Sequence, residues 1–383
     1  MGPLGTAGAG AERDLALDLL RGLAILILVV NHIHLESALE YGTASLLSAA
    51  EVLVAVSGVV AGMVFGRRWL SLGAAVTSRM LLARARKLYV ATVCVIAVVG
   101  VLVALPGVDT SVMTASPRME AGTDLYAYEG GARTIVAVVT LEAGPWQFSI
   151  LGLFIVLLAL TPAVLFAFAR GLWLPVLGVS WALFALGRTW DVDLLPTQSE
   201  RAFPLLVWQV LFTHGLAVGF YRHRLAALIS RYRRPLTAGV AIVALAALVF
   251  KLEIEGLVPL GLDRLLGYGP IDWALWQDAH FDKTTLDAAR MAVLGAIGFG
   301  LYAGFRAYQA HAERFLGWLL LPLGRNSFYV FIMHVFICLG VALMPGLGAG
   351  GLGLIGNAVV EIACLALLWV MVTRRFLFSV VPR

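Results

Sequence analysis

Charged residues are scarce in this chain: Asp, Glu, Lys and Arg make up 13% of its 383 residues, whereas 61% are hydrophobic. Soluble domains carry about 25% charged residues, and the mean hydropathy of +0.91 lies far above their range. Apolar runs of about 20 residues, the length that crosses a bilayer, recur from one end to the other. We therefore expect an all-α, polytopic membrane protein with one membrane-embedded domain, residues 1–383, of which 1–13 form a flexible tail.

Cysteines are rarer still, and several catalytic motifs are absent. The three cysteines, Cys94, Cys338 and Cys364, lie inside apolar runs without metal-like spacing, so we expect no metal and interpret them as packing residues. The HEXXH and Gly-x-Ser-x-Gly motifs of proteases and lipases are missing. The segment "GMVFGRR" lacks the Lys-Ser/Thr of a P-loop, so ATP is not implied. No repeat of the chain in two halves is evident, which disfavours a secondary transporter.

The net charge of +5 comes from short basic clusters between the apolar runs, so nucleic acid is not the expected partner. Arginine-rich connections alternate with connections that carry mainly carboxylates. Excess Lys and Arg mark the cytoplasmic side, so both termini are predicted to be cytoplasmic and the acidic loops external. The basic connections are "GRRW", "RMLLARARK", "YRHRLAALISRYRR", "FRAYQAHAER" and "TRRF".

Hydrophobicity predicts about ten transmembrane helices, with one further apolar piece, Thr134–Ala143, too short to cross. The predicted spans are Leu15–His34, Ser45–Gly66, Leu88–Leu105, Trp146–Ala169, Leu172–Gly187, Phe203–Tyr221, Leu236–Ile254, Ala288–Phe305, Phe315–Leu343 and Leu352–Thr373.

The first span carries three ionisable residues. On a helix, Asp18, Arg21 and His32 fall within an arc of about 60°, with Asn31 at its edge. Such groups are expensive inside a membrane unless they meet a partner or a water-filled cavity, so they indicate a functional site. Two structural alternatives stay open. Asp18 and Arg21 can form an ion pair near the inner surface, and His32 can make an interhelical hydrogen bond.

The second span carries Glu51 and a row of small residues. Glu51 either orients the His32 imidazole or pairs with an arginine elsewhere in the bundle, and both interpretations stay open. Gly58, Gly62 and Gly66 follow Ser57 at intervals of four, a spacing typical of closely packed membrane helices.

The ninth predicted span carries a second polar group. Asn326 and His334 lie about 80° apart on a helix, so we expect them to line one cavity with His32. Arg325 projects to the opposite side, where the expected contact is a donor carboxylate or Glu361.

Arg21 and His32, with ten residues between them, resemble the opening helix of the integral-membrane acyltransferase-3 families. The fuller pattern resembles their OpgC branch, whose members are associated with succinylation of periplasmic glucans. Four positions depart from the branch: Ser149 stands where an acidic residue is expected, and Gly152–Phe154 replace Pro-Leu-Tyr, which concerns the acyl donor or acceptor. The matching segments are "AAEVLVAVSGVVAG", "FIVLLALTP", "FPLLVWQVLFTHG" and "LGRNSFYVFIMH".

Transfer of an acyl group from a thioester to a sugar hydroxyl requires a base, and an imidazole suits that role. His32 is the expected base, with Glu51 and Asp18 as further catalytic candidates. Guanidinium groups bind phosphate oxygens bidentately, so the nucleotide of the donor is expected on Arg21, Arg84, Arg86 and Lys87, although positive-inside topology alone also explains that cluster. Expected substrate contacts are Asn31, Ser57, Trp146, Arg325, Asn326 and His334.

The resemblance implies a membrane O-acyltransferase that uses acyl-CoA, either succinyl-CoA or acetyl-CoA. Its acceptor would be an extracytoplasmic glycan or glycolipid at the plasma or inner membrane. The expected partners are these substrates and membrane lipid, and glycine-lined faces permit a homodimer. A transmembrane N-acetyltransferase of the heparan-glucosaminide type and a transporter without covalent chemistry are the alternatives.

Overall fold

The computed structural model describes residues 14–43, 47–115, 126, 130–190, 193–254, 273–344, 347 and 351–382. The tail predicted at residues 1–13 and most of two acidic loops, 116–125 and 255–272, lie outside the described residues. Within the described part the chain is helical, and no strand occurs there.

The helices are α1 (Leu15–Ile33), α2 (Ala38–Thr43), α3 (Ala49–Leu72), α4 (Ala74–Val103), α5 (Ser111–Thr114), α6 (Gly131–Val139), α7 (Ser149–Ala169), α8 (Trp173–Thr189), α9 (Ser199–Ala202), α10 (Leu205–Phe220), α11 (Arg222–Arg231), α12 (Arg233–Ile254), α13 (Trp273–His280), α14 (Ala288–Ala307), α15 (Gln309–Arg325), α16 (Ser327–Ala342) and α17 (Gly353–Thr373), and one 3-10 turn, Trp146–Phe148, precedes α7.

Seven helices of the described chain are long and apolar enough to cross a membrane, and an eighth span results if α15 and α16 are counted together. The multi-pass membrane class is therefore confirmed. The count of ten stays a prediction, because the predicted spans Leu172–Gly187 and Phe203–Tyr221 form helices of only 17 and 16 residues.

Helix α1 lies at the centre of the bundle. Asp14 begins it, because its carboxylate accepts hydrogen bonds from the backbone N–H groups of Ala16 and Leu17 at 3.1 and 3.3 Å. His34 ends it in a left-handed conformation. The most apolar stretch of α1 is 61% buried inside the protein, against 6% for α12. The polar stripe of α1 therefore faces other helices, whereas α12 mainly faces lipid.

Helices α3 and α10 are in backbone contact, as the glycine row predicted. A Cβ atom at Gly58 or Gly62 would collide with backbone atoms of α10, and one at Gly215 or Gly219 would collide with α3. Small residues on both helices are what permits this approach.

The predicted single span Phe315–Leu343 is wrong in one respect, since the chain bends by 86° between α15 and α16. Asn326 lies at the break, and its backbone and side-chain nitrogens both bond the carbonyl oxygen of Pro322, at 3.3 and 2.9 Å. Close by, a Cβ at Gly324 would collide with the backbone of α1. Hydrophobicity does not register this break because the apolar residues on both sides of Arg325 and Asn326 form one nearly continuous run in the sequence.

Candidate active site

Two cavities open into the bundle, and Ile150 and Phe331 line both, so these two side chains lie at the boundary. The first, which we call the arginine cavity, has a volume of about 470 Å³ and includes Arg21, Arg68, Arg84 and Lys87. The second, which we call the histidine cavity, has a volume of about 280 Å³ and includes Asn31, His32, Trp146, Gln147 and Gln198.

The arginine cavity combines cations with an apolar wall. Arg21 donates a hydrogen bond of 2.5 Å to the hydroxyl of Ser327, the first residue of α16. Among its described lining residues no carboxylate accompanies the four cations, while Ile25, Leu53 and Val60 supply apolar surface. The cavity therefore suits a ligand with both an anionic and an apolar part.

The structure brings together three of the four predicted donor-binding residues, Arg21, Arg84 and Lys87, with Ser57. Arg86 is exposed and does not line the cavity. Arg68 does, although it was predicted only as part of a basic connection. Helical spacing explains the difference, since Arg84 and Lys87 share a face of α4 from which Arg86 is rotated away.

The histidine cavity contains two of the predicted substrate contacts, Asn31 and Trp146. The indole N–H of Trp146 donates to the carbonyl oxygen of Val112 at 2.9 Å. Its ring meets the His32 imidazole edge to face, with centroids 4.9 Å apart. A ligand on the indole would therefore lie beside the imidazole.

His32 on α1 and His334 on α16 are joined by a hydrogen bond of 2.8 Å between Nδ1 of His32 and Nε2 of His334. Nδ1 of His334 lies 2.6 Å from the carbonyl oxygen of Phe331. A carbonyl only accepts, so this Nδ1 carries a proton, and in a neutral His334 ring Nε2 is then the acceptor. His32 consequently donates through Nδ1, and its Nε2 carries the lone pair that a general base requires.

This bond is the interhelical contact left open for His32, but His32 also lines the histidine cavity, whereas His334 is fully buried. His334 was predicted to line a cavity with His32. The structure instead places it behind His32, where it fixes the tautomer. The orientation of an imidazole by a neighbour on its other nitrogen is the arrangement seen in hydrolytic triads.

Of the two roles left open for Glu51, the structure shows the ion pair. One carboxylate oxygen of Glu51 binds Arg290, and the other accepts from the backbone N–H and hydroxyl of Ser48 at 2.9 and 2.5 Å. The predicted orientation of His32 by Glu51 is corrected, because His334 occupies Nδ1 of His32.

Three further candidates, Asp18, Arg325 and Asn326, also lie outside the two cavities. Asp18 pairs with Arg325 at 3.2 Å, so the expected contact of Arg325 with Glu361 is wrong, and its contact with a donor carboxylate stays a prediction. Asn326 bonds Pro322 at the helix break. Glu361 accepts a hydrogen bond from Ser37 instead. All three candidates therefore act on the fold around α1 and α15.

Two of the four positions expected to depart from the family pattern lie in the cavity walls, whereas Gly152 and Leu153 line neither cavity. Ser149 lines the histidine cavity and Phe154 the arginine cavity. Differences in substrate choice are therefore expected from these positions. Phe331 and the two cavity-lining glutamines were not predicted, because nothing in an apolar run or a short connection marks residues that adjoin only after folding.

Comparison with known proteins gives one match. The family model described as OpgC protein matches residues 13–379. None of the curated proteins matches the chain, and no solved structure does. The match spans nearly the whole chain, including both cavities and the histidine pair, and the chain therefore belongs to the OpgC protein family.

Proposed function

We propose that this protein is a membrane O-acyltransferase, which moves an acyl group from cytoplasmic acyl-CoA to a hydroxyl of an extracytoplasmic glycan or glycolipid. Membership in the OpgC family points to acyl transfer. The observation that carries the proposal is that two cavities of different chemistry adjoin at Ile150 and Phe331, with His32 lining one of them.

The arginine cavity is the proposed donor site. Guanidinium groups bind phosphate oxygens strongly, and Arg68, Arg84 and Lys87 supply cations for the nucleotide of CoA. The positive-inside rule predicts that the connection between α3 and α4 is cytoplasmic, which is the side that supplies acyl-CoA. The apolar wall near Ile150 suits the acyl group and the flexible pantetheine arm of CoA.

The histidine cavity is the proposed acceptor site. Nε2 of His32 takes the proton of an acceptor hydroxyl while the oxygen of that hydroxyl attacks the thioester carbonyl carbon. The C–S bond then breaks, the CoA sulfur leaves, and the proton returns to it, so that the products are an ester and free CoA. His334 accepts from Nδ1 throughout and keeps the His32 ring in one orientation.

The first experiment is a thermal shift of the protein in nanodiscs with CoA, acetyl-CoA and succinyl-CoA, because a ligand that binds the folded state raises Tm. We expect one thioester to stabilise the protein selectively and Arg21→Ala to abolish that shift. Asp18→Ala, on the same helix but outside both cavities, is the control.

The second experiment measures release of free CoA in the presence of a glycan acceptor. We expect His32→Ala to reduce turnover by about 10²–10⁴-fold. Glycan movement across vesicles that survives His32→Ala, without CoA release, would contradict acyl transfer and support the transporter. An acceptor requirement for a glucosamine amine would instead support the N-acetyltransferase.

A further inference from the structure

Helix α11, Arg222–Arg231, joins the apolar helices α10 and α12 and buries none of its own residues. Tyr221 and Tyr232, which belong to no helix, separate it from its neighbours. Its 10 residues are too few to cross a bilayer, which takes about 20. We therefore expect α11 at the membrane surface, where the chain turns from one apolar helix to the next.

The side chains of α11 form an apolar face and a basic face. The large apolar residues fall within an arc of about 100° on the helix, and they are Leu225, Leu228 and Ile229. A second arc, centred about 140° from the first, carries His223, Arg224 and Arg231. Leu228 is 53% exposed and Ile229 36%, so protein does not cover the apolar face. An uncovered amphipathic helix with basic residues is typical of segments that lie in the bilayer interface.

The basic residues of α11 are not neutralised by neighbouring carboxylates. No Asp or Glu occurs in residues 201–252. The ion pairs between described residues use cations other than those of α11. Arg224 and Arg231 are exposed, and each lies over the ring of a flanking tyrosine, at 5.8 and 5.6 Å from the ring centre. Both guanidinium groups are therefore accessible to an anion outside the protein.

Arg67, an exposed residue near the end of α3, extends the basic surface. Burial lowers the pKa of Arg222, the like charge of Arg67 lowers it further, and Asp14 opposes the shift. Asp14 also pairs with Arg306 at 3.4 Å, so its charge is shared. Cations that the fold holds close together favour an anion beside them, because it relieves their repulsion.

The two cavities do not account for this surface, since Arg224 and Arg231 line neither of them. The connection between α10 and α12 is rich in arginine, and the positive-inside rule predicts that it is cytoplasmic. The cytoplasmic leaflet carries anionic lipids, and Lys and Arg clusters on an amphipathic helix are typical of segments that bind them. A phospholipid supplies both a phosphate for the cations and acyl chains for the apolar face, whereas a free phosphate supplies only the first.

We propose that α11 lies in the interface of the cytoplasmic leaflet and binds anionic phospholipids there. Leu225, Leu228 and Ile229 enter the boundary of the acyl chains, while Arg224 and Arg231 bind headgroup phosphates, which guanidinium groups hold through charge-assisted hydrogen bonds. This interaction surface is separate from the proposed acyl transfer and does not depend on it.

The test is hydrogen exchange, followed by mass spectrometry, of the full chain in nanodiscs of phosphatidylcholine with increasing fractions of phosphatidylglycerol. We expect the amides of α11 to exchange more slowly as the anionic fraction rises, and 0.5 M NaCl to remove the effect by screening. An arginine near an anionic surface strengthens binding about five-fold. Arg224→Gln and Arg231→Gln should therefore each require about five-fold more phosphatidylglycerol for half of the protection.

Two sets of variants serve as controls. Arg314→Gln removes an exposed cation of α15, on the side also predicted to be cytoplasmic but next to Glu313, and should leave the response of α11 unchanged. Arg224→Lys and Arg231→Lys keep the charge and should keep most of the protection. Loss of protection in the glutamine variants together with normal Tm and normal exchange in α16 would exclude misfolding as its cause.

Equal exchange of α11 in neutral and anionic nanodiscs would overturn the proposal. So would protection that persists in the Arg224→Gln, Arg231→Gln double variant. Protection by CoA in phosphatidylcholine nanodiscs, without any response to phosphatidylglycerol, would assign α11 to the nucleotide of the donor and overturn the lipid surface. The proposed function is decided separately, by the release of CoA that depends on His32.

Discussion

Single residues at the site act through their hydrogen bonds, and His334 is the clearest example. It has no access to either cavity, yet its Nε2 lies 2.8 Å from Nδ1 of His32. Because the Phe331 carbonyl holds its other nitrogen protonated, His334 presents an acceptor and so determines which nitrogen of His32 is basic.

We predict that His334→Leu lowers kcat by about 10²-fold or more, because the His32 tautomer is no longer fixed. His334→Gln should retain more activity, since its amide oxygen can accept from Nδ1 in nearly the same place. Steady-state rates of CoA release for both variants give the comparison. Equal loss in both would mean that packing, and not the acceptor atom, is what His334 contributes.

Glu51 illustrates an ionisable residue whose role is structural. It is fully buried against Arg290, which is 8% exposed. Glu51→Gln should lower the free energy of unfolding by about 3–5 kcal/mol, because it leaves a buried guanidinium without its counter-charge.

Asp18→Asn is the comparison for this pair. Asp18 and Arg325 have side chains 13% and 37% exposed, so the loss should stay near 0–1 kcal/mol. Thermal unfolding in nanodiscs measures the loss of stability in both variants. The kcat per folded molecule should be unchanged in Glu51→Gln. A large loss of kcat with normal stability would show that Glu51 has a catalytic role.

At the scale of elements, helix packing depends on missing side chains. Gly62→Ala should destabilise the protein by about 1–3 kcal/mol, because its Cβ would meet the backbone of α10 at Leu216. Gly178→Ala, on a face of α8 with no atom within 4 Å, should stabilise by about 0.5–1 kcal/mol through helix propensity. Opposite shifts in Tm for the two variants are the expected result.

A buried carboxylate in α9, that of Glu200, contacts the start of α10. Glu200, 3% exposed, accepts a hydrogen bond from the backbone N–H of Leu205 at 3.1 Å, and its other oxygen has no partner in the described chain. Burial raises the pKa of Glu200 above its usual 4.5, the hydrogen bond from Leu205 opposes this, and nearby Asp193 adds to it.

A raised pKa in the folded state means that the folded protein holds this proton more tightly than the unfolded chain. The contribution of this proton to the free energy of unfolding is therefore fully present below about pH 4.5, the pKa of the unfolded chain. It is lost as the pH rises through the folded pKa. Glu200→Gln should reduce the fall of Tm between acidic and neutral pH. An unaltered Tm profile would show that Glu200 is solvated.

The element scale also shows where sequence patterns suffice. Hydrophobicity located most helices to within a few residues, since an apolar run of sufficient length forms a helix in lipid. It missed the start of α4, placed at Leu88 but found at Ala74, because the first turns are amphipathic and basic. It also missed the break at Asn326, which depends on contacts with α1.

For the whole molecule, the two cavities predict vectorial transfer. In proteoliposomes of one orientation, acylated glycan should form only when acyl-CoA is on the side of the α3–α4 connection and the glycan is on the opposite side. Product labelled from radioactive acyl-CoA gives the measurement, and permeabilised vesicles serve as the control. Transfer with both substrates on one side would contradict separate entrances.

Composition and hydropathy by themselves determined that this is a multi-pass helical membrane protein, and the spaced Arg21 and His32 with the later segments indicated its family. These are local properties of the chain, because the bilayer forces each apolar run to satisfy its own backbone. Only the tertiary structure decided that His334 is the partner of His32, that Glu51 pairs with Arg290, and that Gln147 and Gln198 line one cavity. Such pairings join residues up to 302 positions apart, and they depend on how helices pack, which no single run of sequence records.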